Sequence, residues 1–466
     1  MKKNIPYFQC VAVIVTLSVS LILNIFVFNK PLYFGLIIGL IASFIVGIIN
    51  GYDIRILINF AYAGLKKSSK VLIMLSMIAM LIGIWKIGGV IPAMLYYSFG
   101  MINERIFLVS SFIISSAISM LMGTSTGTVS SVGIVLLGLG SAMNIPLPAI
   151  AGTVVSGAFF GDRSSPISSV FNLVSTMTET NPHENFKYLL KTISIGAALA
   201  IIFYFVIGLN YADMSANADN IIDYKNLMTQ YVRISPLLLI PPVILMVFYV
   251  LKFTPLYTMA ASVAIGAIFS IAYQRISIIE LVKAAFVGFH PSIPAEYSVV
   301  LAGGGLVSFR TMLIVIVCAT SLNGVFEGTK MVETLIKPVL KRIKTSRELM
   351  LFTVGFSIVS ALFMCNQVIS IIIPSGVLLE RYKAMGIDKK EFARLLSDSG
   401  VMVSSIIPWN VAALTPASIM GVSVISYLPY AFLSYIMPII SAANILFFQN
   451  NSLELKRGNI NEKSHS

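Results

Sequence analysis

Charge is what this sequence has least of. Only 11% of its 466 residues are Asp, Glu, Lys or Arg, against about 25% in a soluble globular domain. That is too little to cover a surface facing water, so a soluble enzyme or scaffold is excluded. Cysteine and histidine are equally scarce, at three each. Cys10, Cys318 and Cys365 stand far apart inside apolar runs and make neither a disulfide framework nor a metal knuckle. His183, His290 and His465 have no partner at metal-ligand spacing, and no cofactor is expected. Acidic residues number 19 against 32 basic ones. A surplus of +13 in a soluble chain would suggest nucleic acid. Here the basic residues sit in short clusters between apolar segments, where they orient a membrane protein, so no nucleic-acid partner is expected.

What is abundant is hydrocarbon: 57% of residues are hydrophobic and the mean hydropathy is +0.90. Apolar segments fall at 7–28, 32–50, 71–99, 106–143, 146–178, 187–211, 234–251, 255–273, 306–328, 348–379, 395–422 and 424–448. The first follows Met1-Lys2-Lys3 as a signal peptide would. Its length and the lack of a clear small-residue cleavage site make it a span instead. Two segments fit neither one crossing nor two, since a span takes ~20 residues. Segment 106–143 has Gly123-Thr124-Ser125-Thr126-Gly127-Thr128 near its middle, and 348–379 has Cys365-Asn366-Gln367. A re-entrant hairpin, two half-helices meeting at mid-membrane, explains both the length and the polarity.

Charge gives an independent test. The loop 330–347 carries six basic residues and 381–394 carries five. A single crossing at 348–379 would put these clusters on opposite sides, against the positive-inside rule, whereas a hairpin returns both to the cytoplasm. Applied throughout, this logic predicts ten crossings, two hairpins and both termini inside the cell. Cytoplasmic parts then hold 23 Lys and Arg and external loops six. The fold class is therefore an all-α integral protein of the cell membrane. It divides into a first repeat (1–212, with hairpin 106–143 and broken helix 146–178), an external linker (213–232), a second repeat (233–450, with hairpin 348–379 and broken helix 395–422) and a cytoplasmic tail (451–466). An odd number of crossings per half makes the halves inverted, and their polar interruptions recur about 240 residues apart.

Chemistry is expected where the apolar pattern breaks. Gly157 to Asn172 contains Gly161-Asp162-Arg163-Ser164-Ser165-Pro166 in the middle of a span. The glycines and proline interrupt helix hydrogen bonding. Backbone freed inside a bilayer is tolerated only where it lines a cavity. The matching stretch is Ser397-Asp398-Ser399-Gly400 with Pro408-Trp409-Asn410. Hard cations take carboxylate, hydroxyl, amide and carbonyl oxygens. The expected cation and proton site is Asp162 and Asp398 with Thr124, Ser125, Thr126, Ser165, Ser168, Asn172 and Asn410, with Na⁺ at Asp162. Blander roles stand beside this one: Asp162 pairing with Arg163, and Asp398 capping a helix. Lys86, deep in an apolar run, either snorkels or supplies a fixed positive charge. With Asn366, Gln367, Glu327 and Arg163 it forms the substrate-binding or charge-compensating set, a Lys86–Glu327 pair included.

These residues resemble a known family. Gly123 to Thr128, then Ser156 to Ser168 with Asn172, then Asp398-Ser399-Gly400, Ile407-Pro408-Trp409-Asn410 and Tyr427-Leu428-Pro429-Tyr430-Ala431-Phe432 are similar to the signatures of the NhaC family of Na⁺/H⁺ antiporters, over nearly the whole chain. The resemblance implies inverted repeats, re-entrant hairpins, broken helices, and Na⁺ and H⁺ as transported partners. Family members also include a malate/Na⁺–lactate antiporter and amino-acid carriers. Two departures reduce negative charge: Ser168-Ser169-Val170-Phe171 stands where the family often has Ser-Asp-Thr-Thr, and Lys86 where it is usually uncharged. The leading expectation is a Na⁺/H⁺ antiporter working by alternating access; the alternative is a carrier of organic acids or amino acids. A homodimer is left open. A lipid-modifying enzyme and an ion channel are disfavoured, because the polar motifs lie in pairs at mid-segment and two unlike half-sites make no symmetric filter.

Overall fold

The computed structural model describes residues 5–28, 30–98, 103–212, 218–251, 253–291, 302–340 and 342–447. The chain is an all-α integral membrane protein. Among the described residues, seven helices are long and apolar enough to cross a membrane, or up to ten if each bent pair counts as one span. The outward surface is apolar: Phe8, Ile22, Ile202, Val243 and Tyr257 are all more than half exposed, as side chains facing acyl chains should be.

The first stretch holds α1 (Tyr7–Phe26), α2 (Tyr33–Ile49), α3 (Ile54–Lys67), α4 (Ser69–Ile87) and α5 (Val90–Ser98). It continues with α6 (Phe107–Met122), α7 (Ser125–Ala142), α8 (Leu147–Ser164), α9 (Ser169–Met177) and α10 (Pro182–Ala212). Then come α11 (Ala218–Tyr231), α12 (Ile240–Val250), α13 (Pro255–Ala272), α14 (Ile278–Phe286), α15 (Arg310–Gly328) and α16 (Met331–Leu340). Last are α17 (Ser346–Met364), α18 (Gln367–Ala384), α19 (Lys389–Ile406), α20 (Val411–Met420), α21 (Val424–Tyr430) and α22 (Phe432–Phe447). Two expectations change. The apolar run 71–99 is broken at Gly88-Gly89, where Gly89 takes φ +78°, and the linker 213–232 is helical from Ala218 onward.

Small residues set the packing that positions the site. Gly157 and Gly161 of α8 press on Ser115 and Ser119 of α6, a small-xxx-small contact of the kind that lets helix backbones touch in lipid. A Cβ on Gly161 would lie 2.3 Å from the Ser119 carbonyl carbon. Backbone cannot swing aside as a side-chain tip can, so overpacking here exceeds the usual ~1–3 kcal/mol. Gly161→Val is therefore expected to cut the monodisperse size-exclusion peak to roughly a tenth. Gly376→Val, where an added Cβ meets nothing within 4 Å, should leave that peak intact. Equal peaks for the two variants would refute the close approach.

Two helix pairs turn back on themselves. Residue numbers along α6 and α8 rise together at their contact, whereas Gly133 and Gly140 of α7 meet Val154 and Ile150 of α8 in descending order. So α7 runs antiparallel to α6, and Gly140 also abuts Phe107. The turn is made by Gly123 at φ +65° and Thr124, whose hydroxyl accepts the Gly127 amide. Likewise α18 returns beside α17, with the Thr353 and Tyr382 hydroxyls 2.7 Å apart. Cys365 makes that turn at φ +51° and Asn366 caps α18. Helices α8 and α19 both break mid-chain, at 165–168 and 407–410, and α19 and α20 meet at 45°.

A helix end inside a bilayer leaves carbonyls and amides that water cannot reach. Each break therefore carries its own donors and acceptors. Thr124, Ser168, Asn366 and Asn410 cap the four helices that restart. At the end of α17, the Ala361, Leu362 and Met364 carbonyls accept from Asn410, Trp409 and Asn323. At the end of α6, Met120 O accepts the Ser165 hydroxyl at 2.6 Å.

Candidate ion site

The breaks converge. Ser125 and Thr126 at the start of α7, Asn366 and Gln367 at the start of α18, and Val411 at the start of α20 line one cavity of about 480 Å³. Its rim holds Lys67 and Glu327, joined at 2.6 Å and both more than half exposed. Directly behind its wall lies Asp162, 4% exposed. Its two carboxylate oxygens accept the Ser125 hydroxyl at 2.9 Å and the Ser168 hydroxyl at 2.8 Å. Those serines open α7 and α9, so two positive helix ends face one carboxylate. Among the described residues no Lys or Arg forms an ion pair with Asp162. A carboxylate with two hydroxyls is an oxygen-rich cradle of the kind hard cations take.

Asp398 has a different setting. It is fully buried and bonded to Arg163, with Arg394 at 3.3 Å and the Ser441 hydroxyl at 2.6 Å. Arg394 also holds Glu391, which accepts the Tyr188 hydroxyl at 2.7 Å. Two bases and two acids thus form a buried row, Glu391–Arg394–Asp398–Arg163, crossing from α19 to α8 and α10. The other expected residues serve the backbone or the cavity. Asn172 bonds the Pro166 and Ser168 carbonyls, Asn410 caps α20, and Gln367 donates to Val401 O at 3.3 Å.

The structure separates several of the expected neighbours. Arg163 reaches Asp398 and not Asp162. Lys86 and Glu327 do not pair: Glu327 meets Lys67, the last residue of α3, whereas Lys86 lies in the last turn of α4, about 26 Å along that helix from its start at Ser69. Lys86 instead donates to Ala302 O and lines a second cavity. Arg394, counted among the charges of a cytoplasmic loop, is 2% exposed inside the buried row. Sequence reasoning passed over Lys67, Glu391, Arg394 and Ser441. The alternating polar face Glu391, Arg394, Asp398 at i, i+3 and i+7 was the available signal for one buried helix side.

Outside the membrane-spanning part, Glu179 in the turn after α9 is clamped by Lys389 at 2.6 Å and Lys383 at 3.1 Å. Those hydrogen bonds hold its carboxyl below the usual carboxylate range. The clamp is therefore fully present at neutral pH, and is lost only as pH falls through that lowered value.

Comparison with known proteins places the chain. The model of the Na⁺/H⁺ antiporter family matches residues 157–448, which hold Asp162, Arg163 and Asp398. The chain is similar to the malate-2H(+)/Na(+)-lactate antiporter of Bacillus subtilis, at 27% identity over 93% of both chains. It shares 31% identity with an uncharacterized Na(+)/H(+) antiporter of Haemophilus influenzae, over 79% of this chain and 80% of that one. With the Na(+)/H(+) antiporter NhaC of Bacillus subtilis it shares 29%, over 81% and 84% respectively. The family match spans well over half of the sequence and includes both helix breaks, at 165–168 and 407–410, and this protein belongs to the Na⁺/H⁺ antiporter family.

Proposed function

We propose that this chain is a secondary active antiporter that exchanges Na⁺ for H⁺ at the Asp162 carboxylate by alternating access. One observation carries the reading: Asp162 sits without a basic partner among the described residues, bonded to the hydroxyls that open two restarted helices, beside the cavity where both hairpin tips meet. Hydroxyls that donate to a carboxylate keep lone pairs for a cation, so Na⁺ is held by Asp162, Ser125 and Ser168. A proton on Asp162 removes the charge that holds the cation. The two therefore compete for one group.

Repetition supports the same reading. Gly123 and Cys365, Thr124 and Asn366, and Ser168 and Asn410 do the same local job, and each pair is 242 residues apart. We read 1–212 and 233–450 as inverted copies entering from opposite faces, with the cavity holding Lys67 opening to the cytoplasm, where the basic clusters lie. Asp398 is then a structural acid, because two arginines already answer its charge.

Proteoliposomes test this. A pH gradient is expected to drive ²²Na⁺ uptake, and a Na⁺ gradient to drive opposed proton movement. Apparent Na⁺ affinity should fall ~tenfold per pH unit once Asp162 is mostly protonated. Silence to both gradients ends the proposal.

A further inference from the structure

A groove of about 410 Å³ lies between Val11 and Ile14 of α1, Leu335 of α16, and Phe352, Val359 and Met364 of α17. Among its described lining residues none is charged, and only Tyr7, Cys10 and Ser360 bear a polar side-chain atom. It therefore has nothing to exchange for the water of an ion or a hydrated solute. Tyr7 and Val359 are nearly half exposed, so the groove opens to the bilayer. From Phe352 to Met364, α17 runs about 18 Å, a little over half of the ~30 Å hydrocarbon core. The groove has the depth of one leaflet.

Chain direction says which end meets the membrane surface. Both α16 and α17 line the groove and the loop 341–345 joins them, so that loop crosses the Phe352 end. Met364 is the deep end, one residue before the Cys365 turn. Residues 341–347 carry four basic residues, Lys341, Arg342, Lys344 and Arg347. Arg347 turns to Leu446 O, whereas Arg342 and Lys344 are exposed. The following acid, Glu348, already accepts the Lys344 and Thr345 amides. A void gains dispersion energy only when it is filled, and hydrocarbon is the solvent at hand. Basic residues at a membrane surface attract an anionic headgroup. We infer that the groove binds one acyl chain of an anionic glycerophospholipid, with the phosphate at Arg342 and Lys344 and the chain end against Met364. The site does not depend on where Na⁺ is held. It braces the turn whose next residue, Asn366, lines the ion cavity.

Native mass spectrometry of the purified full-length protein tests this. The probes are dioleoylphosphatidylglycerol and dioleoylphosphatidylcholine in equal amounts, which share their tails and differ in headgroup. Retention of phosphatidylglycerol is expected to exceed that of phosphatidylcholine at least about tenfold. Gly355→Phe fills the groove at a point where an added Cβ meets nothing within 4 Å, and should cut phosphatidylglycerol retention at least about tenfold. Gly376→Phe, equally open but in a cavity on another side of α16, should leave it unchanged. Arg342→Gln/Lys344→Gln should abolish the preference between the two lipids. Its changes lie on the surface, so it decides the matter where Gly355→Phe does not fold. Equal retention of both lipids by the parent chain, no retained lipid, or an unchanged preference in the double glutamine variant overturns the site. So does a folded Gly355→Phe that binds as the parent does, or an equal loss in Gly376→Phe. A dimer mass that Gly355→Phe dissolves would give the groove to a second copy and overturn it as well.

Discussion

Asp162→Asn is expected to abolish Na⁺-driven proton movement in proteoliposomes while leaving a folded, monodisperse protein. The carboxamide oxygen still accepts a hydroxyl from Ser125 or Ser168, so the contacts seen at 2.9 and 2.8 Å survive in part. The charge does not. A unit charge about 4 Å from a cation is worth ~4 kcal/mol at the effective dielectric of a partly buried site, or on the order of a thousandfold in affinity. The amide also has no proton to exchange near neutral pH, so both halves of the cycle stop together. Asp162→Glu keeps the charge but lengthens the side chain against the Ser125 and Ser168 hydroxyls, and should exchange at a reduced rate. The readouts are dye-monitored flux and ²²Na⁺ binding, normalised to folded protein. Exchange by Asp162→Asn within about tenfold of the parent chain would place the ion elsewhere.

Much of this was legible before any coordinates, and the legible parts share a cause. Hydrocarbon penalises every unsatisfied polar group, so polar residues inside apolar runs are informative. The Gly123–Thr128 stretch, the Cys365–Gln367 stretch and the Asp162 segment all stood out for that reason, and all three lie at or against one cavity wall. What composition does not carry is which charge meets which. Arg163 is adjacent to Asp162 in sequence, yet its side chain leaves α8 on another face and meets an acid 235 residues away. Lys86 and Glu327 each end a long helix and read as equivalents, but the α3–α15 crossing, tight enough that Gly64 and Gly324 touch, brings Glu327 to the opposite end of α4. Arg394 lies near a basic loop and counts as one of its charges until the helix face is known. Helix faces and crossing points decide these pairings, and one sequence fixes neither.

The buried row Glu391–Arg394–Asp398–Arg163 allows a sharper test, because its members are not equivalent. Asp398 answers two arginines, Arg394 answers two acids, and Arg163 has one acid. Removing Asp398 strands Arg163, which has no exposed surface and, among the described residues, keeps only the Ser164 and Thr192 hydroxyls at 3.1 and 3.4 Å. Breaking a buried pair from one side costs about 3–5 kcal/mol, because the remaining charge stays desolvated. Removing Arg163 instead leaves Asp398 with Arg394 and Ser441, a loss closer to that of one charged hydrogen bond, ~1.5–3 kcal/mol. Asp398→Leu is thus expected to be the least stable variant and Arg163→Met the intermediate one. The double variant Arg163→Met/Asp398→Leu should be more stable than Asp398→Leu alone, since it removes the stranded charge and leaves Arg394 paired with Glu391. Thermal unfolding in detergent ranks the three, and a double variant no better than Asp398→Leu would show that Arg163 was never stranded. Exchange per folded molecule then assigns the acid. If the row is purely structural, the double variant keeps flux within about tenfold of the parent chain; if Asp398 itself carries the ion, flux vanishes even where the fold is restored.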